Sequence, residues 1–546
     1  MKNKKLIFFC ILLAVIAGGI IYWTNYKNKL LHGGIRKMVL EQSNGLYKIK
    51  SDTIVLDEIE GFLSITNLSL KSDSLVYDTI TLSHQQPSVL TNLLIPNLTI
   101  RGVKTPKALL SQEIEGSAVV IESPTIELLI TGSASDTVVQ MSYNQVYRQI
   151  LGNFKHIKVD SLLINNAVLL TRDLHGKNYK HQLDSVDIHL FDIQIDSLNN
   201  QDTSRFLFAK DMHLFTKEIK ILSGNALYRY VIKNVMLSTF EQKLNVEQFS
   251  INPLQGEAAF MKNFKYQQDR FDIDMFNIEL KQLNIPRFIS EEIDAQEMQV
   301  GKSSFKIYRD MTYPRAQVSK VGNYPHQMLM NELPFRLFIR KAIFKNSFIE
   351  YKERAESSGE AGHVQFKEAG ATIDYLTNIK EMLPSSGIMT LDFHSKFLGQ
   401  IPLTATLQFY NASKDGKWSA KGHLRTLDAK IVNQLTEPMG LARVEDGVIN
   451  SLTFNLTGND YRARGDVLIL YKDLQVSLLK QNDNNDLERK KFISWIANLK
   501  LKSNNPKKEG REPRHGKVNY ERDIHRSYFA LLWKSIFEGI KQCVGF

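Results

Sequence analysis

From about residue 46 onward, apolar and polar residues alternate with a period of two, the pattern of strands that bury one face and wet the other. Phe271-Asp-Ile273-Asp-Met275 and Val186-Asp-Ile188-His-Leu190 show it most plainly. Strand follows strand with few long helical patterns until the carboxyl end, so the pattern predicts a mainly β fold. Loop chemistry separates the strands at residues 84–88, 197–202, 354–362 and 411–416.

A short phrase interrupts the alternation again and again: an apolar residue, two mostly polar ones, an apolar, a variable residue, and another apolar. It stands at Ile65-Thr-Asn67-Leu68-Ser-Leu70, Val159-Asp-Ser161-Leu162-Leu-Ile164, Leu183-Asp-Ser185-Val186-Asp-Ile188 and Ile232-Lys-Asn234-Val235-Met-Leu237. It returns at Val246, Leu280, Ile339-Arg-Lys341-Ala342-Ile-Phe344, Ile449-Asn-Ser451-Leu452-Thr-Phe454 and Tyr471. Strict alternation would turn the second apolar residue to the wrong face, so the polar pair has to absorb one extra residue. A β-bulge does this while bending the strand and raising its twist. For any single copy, two ordinary strands meeting at a tight turn explain the phrase equally well; the recurrence favours a systematic cause. Repeated bulges predict an elongated, twisted, curved β-sheet groove with a continuous apolar concave face. Its candidate lining residues are Ile65, Leu68, Leu70, Val159, Leu162, Ile164, Ile232, Val235, Leu237, Ile339, Ala342, Phe344, Ile449, Leu452 and Phe454.

The two ends have a different texture. Residues 1–5 carry Lys2, Lys4 and Lys5, and residues 6–23 form an uncharged run that includes Leu6, Phe8, Leu12, Ile16, Ile20 and Trp23. At about 1.5 Å per residue this run spans a hydrocarbon core of about 30 Å, with Tyr22 and Trp23 placed for an interfacial belt. A cleavable signal peptide is the rival, given Ala14, Ala17 and Gly18; the apolar stretch continuing through Trp23 favours a retained anchor. Positive residues flank both sides, so the expected orientation, a short cytoplasmic head and an exported body, follows the common arrangement. A juxtamembrane helix is expected over 24–45, ended by Ser43-Asn44-Gly45. The β region then divides into 46–310 and 331–482, joined by a loop or linker at 311–330 with Pro314, Gly322 and Pro325. In the basic, amphipathic tail, 483–546, a helix is expected over 487–499. A second places Phe529, Leu532, Trp533, Ile536, Phe537 and Ile540 along one face. Lying on a membrane and sealing the open end of the β structure are both open to this last helix.

Composition narrows the function. The chain has 546 residues, 43% of them hydrophobic, which is enough to bury a large core. Its +11 net charge is spread along the chain and accompanies no nucleic-acid-binding motif, so an anionic lipid surface is the better partner and no nucleic acid is expected. Cys10 and Cys543 are the only cysteines, which excludes a disulfide framework. The thirteen histidines are scattered. No nucleophile elbow, phosphate loop, dinucleotide fingerprint or zinc-protease helix is present, so neither catalytic residues nor a cofactor nor a metal is expected. Asp184, Asp187, Asp272 and Asp274 occupy the alternate polar positions of strands, which reads as a solvated outer face.

The anchor followed by Gly45-Leu-Tyr-Lys-Ile49, the chain of bulged strands and residues 442–458 (ARVEDGVINSLTFNLTG) resemble AsmA-type proteins of the Gram-negative envelope. Residues 463–474 and the ending at 522–540 resemble a Bacteroidota branch of that family. The resemblance implies a greasy β-groove anchored in the inner membrane by a single pass, with its bulk in the periplasm. It also implies a role in phospholipid transfer between inner and outer membranes or in outer-membrane lipid homeostasis. Phospholipid or another acyl lipid, the inner membrane and an outer-membrane or envelope protein are the implied partners; no catalytic residue is implied. The alternative is an envelope assembly factor that pairs its strand edges with outer-membrane protein clients by β-augmentation. An envelope hydrolase is the third reading.

Overall fold

The computed structural model describes residues 39–40, 43, 45–57, 59–80, 89–103, 113–130, 155–174, 181–196, 205–206, 208–290, 292–333, 335–356, 359–437, 442–478 and 502–545. The anchor residues Leu6, Phe8, Leu12, Ile16, Ile20 and Trp23, nearly all of the juxtamembrane segment and the helix expected over 487–499 lie outside them. The protein is mainly β, with one large twisted sheet that has 23 strands among the described residues. It divides into two compact units, Met1–Ile221 with Val231–Glu247, and Leu222–Tyr230 with Gln248–Phe546.

The first unit contains β1 (Tyr47–Lys50), β2 (Ile54–Asp57), β3 (Phe62–Ser72), β4 (Val89–Arg101), β5 (Glu113–Glu122), β6 (Thr125–Ile130), β7 (His156–Asp173) and β8 (His181–Ile195). β9 (Ala209–Leu222) follows, and β10 (Tyr228–Ser238) and β11 (Lys243–Pro253) each have residues in both units. β5 and β6 are two halves of one strand line, broken at Ser123-Pro124. Both halves lie antiparallel to β4 and parallel to β7. Across this unit apolar residues stand opposite one another from strand to strand, as in Leu63, Ile100, Val119, Leu162, Leu190 and Met212. None of these six is more than 7% exposed, so this row is closed to solvent.

The second unit contains β12 (Asp269–Leu283), β13 (Glu292–Val300), β14 (Ser303–Asp310), β15 (Arg336–Arg354), β16 (Ala361–Thr377), β17 (Ile388–Phe397) and β18 (Ile401–Tyr410). Then come β19 (Trp418–Leu424), β20 (Leu427–Asp428), β21 (Ala442–Gly458), β22 (Arg462–Leu478), β23 (Gly516–Glu521) and the C-terminal helix Tyr528–Val544. The plan of the first unit recurs. β13 and β14 form one line broken at Gly301-Lys302, antiparallel to β12 and parallel to β15. A parallel neighbour requires a return connection, and residues 311–335 supply it. The segment expected as a linker or loop is therefore this strap within the second unit, carrying the short helix Pro325–Glu332 and the fully buried Tyr324.

The bends fall where the recurring phrase puts them in five copies. Asn67, Ser185, Asn234, Gln282 and Asp473, each the second polar residue of its phrase, take left-handed φ values between 48° and 56° inside strands. Short polar side chains such as Asn and Asp tolerate that region best because they can hydrogen-bond locally. On β3 the effect is direct: Leu63, Ile65, Leu68 and Leu70 are all buried although the spacing changes at Asn67. The copy at Ile449 shows a register shift without a left-handed residue. The copies at Val159, Val246 and Ile339 have no left-handed residue. In β7 and β15 the bend comes later instead, at Asn166 (φ 52°) and Asn346 (φ 50°).

Within each unit the bends line up across strands. In the first, Asn67 faces Pro96, Pro96 faces Ser123, and Ser123 faces Asn166, whose amide side chain donates to the Ser123 hydroxyl at 3.2 Å. In the second, Asn277 faces Gly301, Lys302 faces Asn346, and register shifts in β16 flank Glu368 (φ 50°). When one strand changes which face its next residue points to, its neighbours have to change at the same level, or apolar side chains would meet polar ones.

Candidate functional site

The residues expected to line a groove fall in both units, with unequal exposure. Ile65, Leu68, Leu70, Val159, Leu162 and Ile164 are buried, and so is Leu237, whereas Ile232 and Val235 are half-buried. In the second unit Ile339 and Ala342 are buried, but Phe344, Ile449, Leu452 and Phe454 are half-buried. The second unit therefore presents the more accessible apolar face.

That face is built from cross-strand rows. Ile273, Phe305, Ile349, Phe366, Phe397 and Ile401 oppose one another from β12 to β18. A second row joins Phe344, Ala371, Phe393, Ala405, Gly422, Phe454, Val467 and Gly516 from β15 to β23. Rings touch between the rows, Phe305 with Phe344 at 6.4 Å and Phe366 with Phe393 at 6.0 Å, and within the first row, Phe366 with Phe397 at 5.6 Å, all tilted or edge-on. Such pairs contribute about 0.5–1.5 kcal/mol beyond the area they bury. Small residues opposite large ones let rings lie down on the sheet. A Cβ on Gly422 would fall 2.3 Å from the Phe454 ring, and one on Gly458 would fall 2.5 Å from the Trp418 ring.

One end of the face is covered. Trp418, Phe409, Leu407, Leu456, Val467 and Val518 from the sheet pack with Tyr324 of the strap and with Tyr528, Leu531 and Ile536 of the C-terminal helix. Tyr528 sits edge-on to Tyr324, Phe409 and Trp418 at 5.1–5.7 Å. An ion pair of 1% and 3% exposed side chains, Arg522 with Asp460, fixes the strap over this end. Arg522 donates to the backbone oxygens of Lys320 and Arg526, both at 2.9 Å, and its guanidinium lies 4.7 Å over the Tyr324 ring. The Gln327 side chain and the Gly322 amide donate to the Asp460 carboxylate.

The C-terminal helix divides the expected stripe between a seated side and an exposed one. It seats through Tyr528, Leu531, Ser535, Ile536, Gly539, Cys543 and Val544, with Leu532 and Ile540 packed at the side. Phe529 and Trp533 point away, 67% and 50% exposed, and Phe537 stacks on Trp533 at 6.1 Å. On the seated side small residues allow a close approach beside the larger Tyr528, Leu531 and Ile536. A Cβ on Gly516 would fall 2.0 Å from the Gly539 carbonyl, so β23 and the helix approach backbone to backbone. The Ser535 and Gly539 pair, four residues apart, was the sequence signal that this was the seated side.

Polar groups close another rim of the face. Continuing along β14 past Phe305 and Ile307, Arg309 holds Asp269 through two bonds of 2.6 Å, and on β15 the Tyr351 hydroxyl donates to Glu353 at 2.8 Å. Burial pushes the Tyr351 hydroxyl up, with the Glu353 charge adding to it. A further open cavity of about 350 Å³ lies among Leu333, Phe335, Arg336, Asn378, Ile379, Lys380 and Glu381. Among the described residues, no three His, Cys, Asp or Glu side chains gather as a metal set. No described helix is long and apolar enough to cross a membrane. No protein-family model and no curated protein matches the chain.

Proposed function

We propose that the chain is a membrane-anchored, non-catalytic carrier that takes lipid acyl chains on the apolar face of its second unit. In this reading it supports phospholipid transfer between the inner and outer membranes. The aligned bends curve the sheet about its apolar side, which makes that face a groove. The observation that carries the reading is the pair of apolar rows left half-buried around Phe344, Phe366, Phe393 and Phe454, where a core would bury them fully. Each acyl methylene laid there gains about 0.8 kcal/mol relative to water, close to what it had in the bilayer, so transfer either way runs near balance.

The full chain, purified in mild detergent and analysed by mass spectrometry, is expected to retain acyl lipid. Phe366→Ser with Phe393→Ser is expected to reduce the bound lipid severalfold while the protein stays folded. Lipid-free protein with an intact fold would overturn the reading. Crosslinks to a nascent outer-membrane barrel in place of lipid would favour the assembly-factor alternative.

A further inference from the structure

The strap of the second unit carries a cation that no carboxylate contacts directly. Its neighbours are settled: Arg309 holds Asp269, Arg315 lies 3.5 Å from Asp523, Arg522 holds Asp460, and Arg526 also bonds Asp523 at 3.0 Å. Lys320 is half-buried among these groups, and among the described residues its ammonium has no hydrogen bond and no ion pair. Its position is fixed by the backbone: its amide donates to the Ile524 carbonyl at 2.7 Å, and its own carbonyl accepts from Arg522. Burial, followed by the charge of Arg309, holds this ammonium below the usual lysine range; Asp269 opposes that, and Arg522 and Arg315 reinforce it. A half-buried cation with like charges around it is an arrangement that a bound anion relieves.

Its location relative to the apolar rows gives the site its meaning. On β14 the side chains of Phe305, Ile307 and Arg309 alternate onto one face, and on β12 those of Ile273, Phe271 and Asp269 do the same. At about 3.3 Å per residue, Arg309 lies some 13 Å along the strand from Phe305. The greasy face thus runs toward the Arg309–Asp269 pair, and the strap that carries Lys320 is tied to the same rim by Gln267, which donates to the Pro314 and Tyr313 carbonyls. That is the polarity of an amphiphile.

We propose that Lys320, backed by Arg309 and Arg315, seats the anionic head group, a phosphate or carboxylate, of an amphiphile whose chain lies on the apolar rows. This rests on the acyl-chain reading above and adds to it a preference for anionic over neutral head groups. The ammonium acts as a compact point charge with three donors, suited to a head group that approaches from the open side.

The test uses the full chain in mild detergent with three probes: a fluorescent lysophosphatidic acid, a monoacylglycerol with the same labelled chain, and inorganic phosphate. The wild type is expected to bind the anionic amphiphile at least tenfold more tightly than the neutral one. In Lys320→Met the two affinities are expected to converge, and in Lys320→Arg most of the preference to survive. Lys320→Gln supplies the same neutralisation should the Met variant fail to fold, as checked by thermal melting. A folded Lys320→Met that keeps the full preference overturns the site and leaves the acyl-chain reading standing. If neither amphiphile binds the wild type, the acyl-chain reading fails and takes the head-group seat with it. If inorganic phosphate binds with the same dependence on Lys320 but never displaces the amphiphile, the corner is a free-anion site and the proposal is wrong.

Discussion

The imidazole of His326 stacks on Phe409 with ring centres 5.1 Å apart, and its side chain is 1% exposed with no hydrogen-bond partner on either nitrogen. Burial pushes its pKa down to about 4, with the Asp460 charge only partly offsetting the effect. In the unfolded chain histidine titrates near 6.5, so protonation favours unfolding. The stability tied to the neutral ring is full above about pH 6.5 and is lost as the pH falls toward 4. Between pH 7 and pH 4.5 this amounts to about 2–3 kcal/mol. Urea titrations at these two pH values are expected to show His326→Leu losing less stability than the wild type by that margin. Equal losses would refute it. The sequence offered no sign of this residue. It stood as one of thirteen scattered histidines, and the groups that bury and perturb it, Phe409 and Asp460, lie far along the chain. Lys320 was equally silent, because its lack of a partner is defined by which carboxylates its neighbours had already taken.

At the scale of strands and helices, the bends were legible where the apolar spacing changes beside a short polar residue. Asn67 and Asn234 announce themselves this way. Asn166 and Asn346 did not, because in β7 and β15 a phrase with regular pairing precedes the bend and drew attention from it. The backbone at Asn346 predicts an asymmetry between substitutions. Asn346→Val adds a β-branched side chain at φ 50° and is expected to cost about 1–2 kcal/mol, whereas Asn346→Gly is expected to cost little. Denaturant midpoints of the two variants would measure it, and equal midpoints would contradict the account. The C-terminal helix was legible as amphipathic, but its seated side was not, because backbone proximity depends on what is missing from a side chain. A Cβ on Gly539 would fall 2.4 Å from the Val467 Cβ. Gly539→Val is therefore expected to lower the melting temperature by several degrees and to increase protease cleavage near the carboxyl end; unchanged melting would count against the close seating.

For the molecule as a whole, period-two alternation carried the mainly β fold, since it requires only that each strand wet one side. It did not carry the parallel neighbours β5, β6 and β7, or β13, β14 and β15, because parallel pairing is decided by where the chain returns and not by the alternation itself. Nor did it reveal which apolar rows are buried and which are left half-buried. The line of bends across each unit has one more consequence. Long strands with plain alternation can slide past each other by two residues and still keep every side chain on its proper face, so hydrophobicity alone tolerates the slip. Strands notched at a common level cannot, since a two-residue shift would set each notch against straight neighbouring backbone. The polar residues that look like flaws in the greasy pattern thus act as alignment keys, and they let strands of 15 residues or more find one pairing among several that burial would accept.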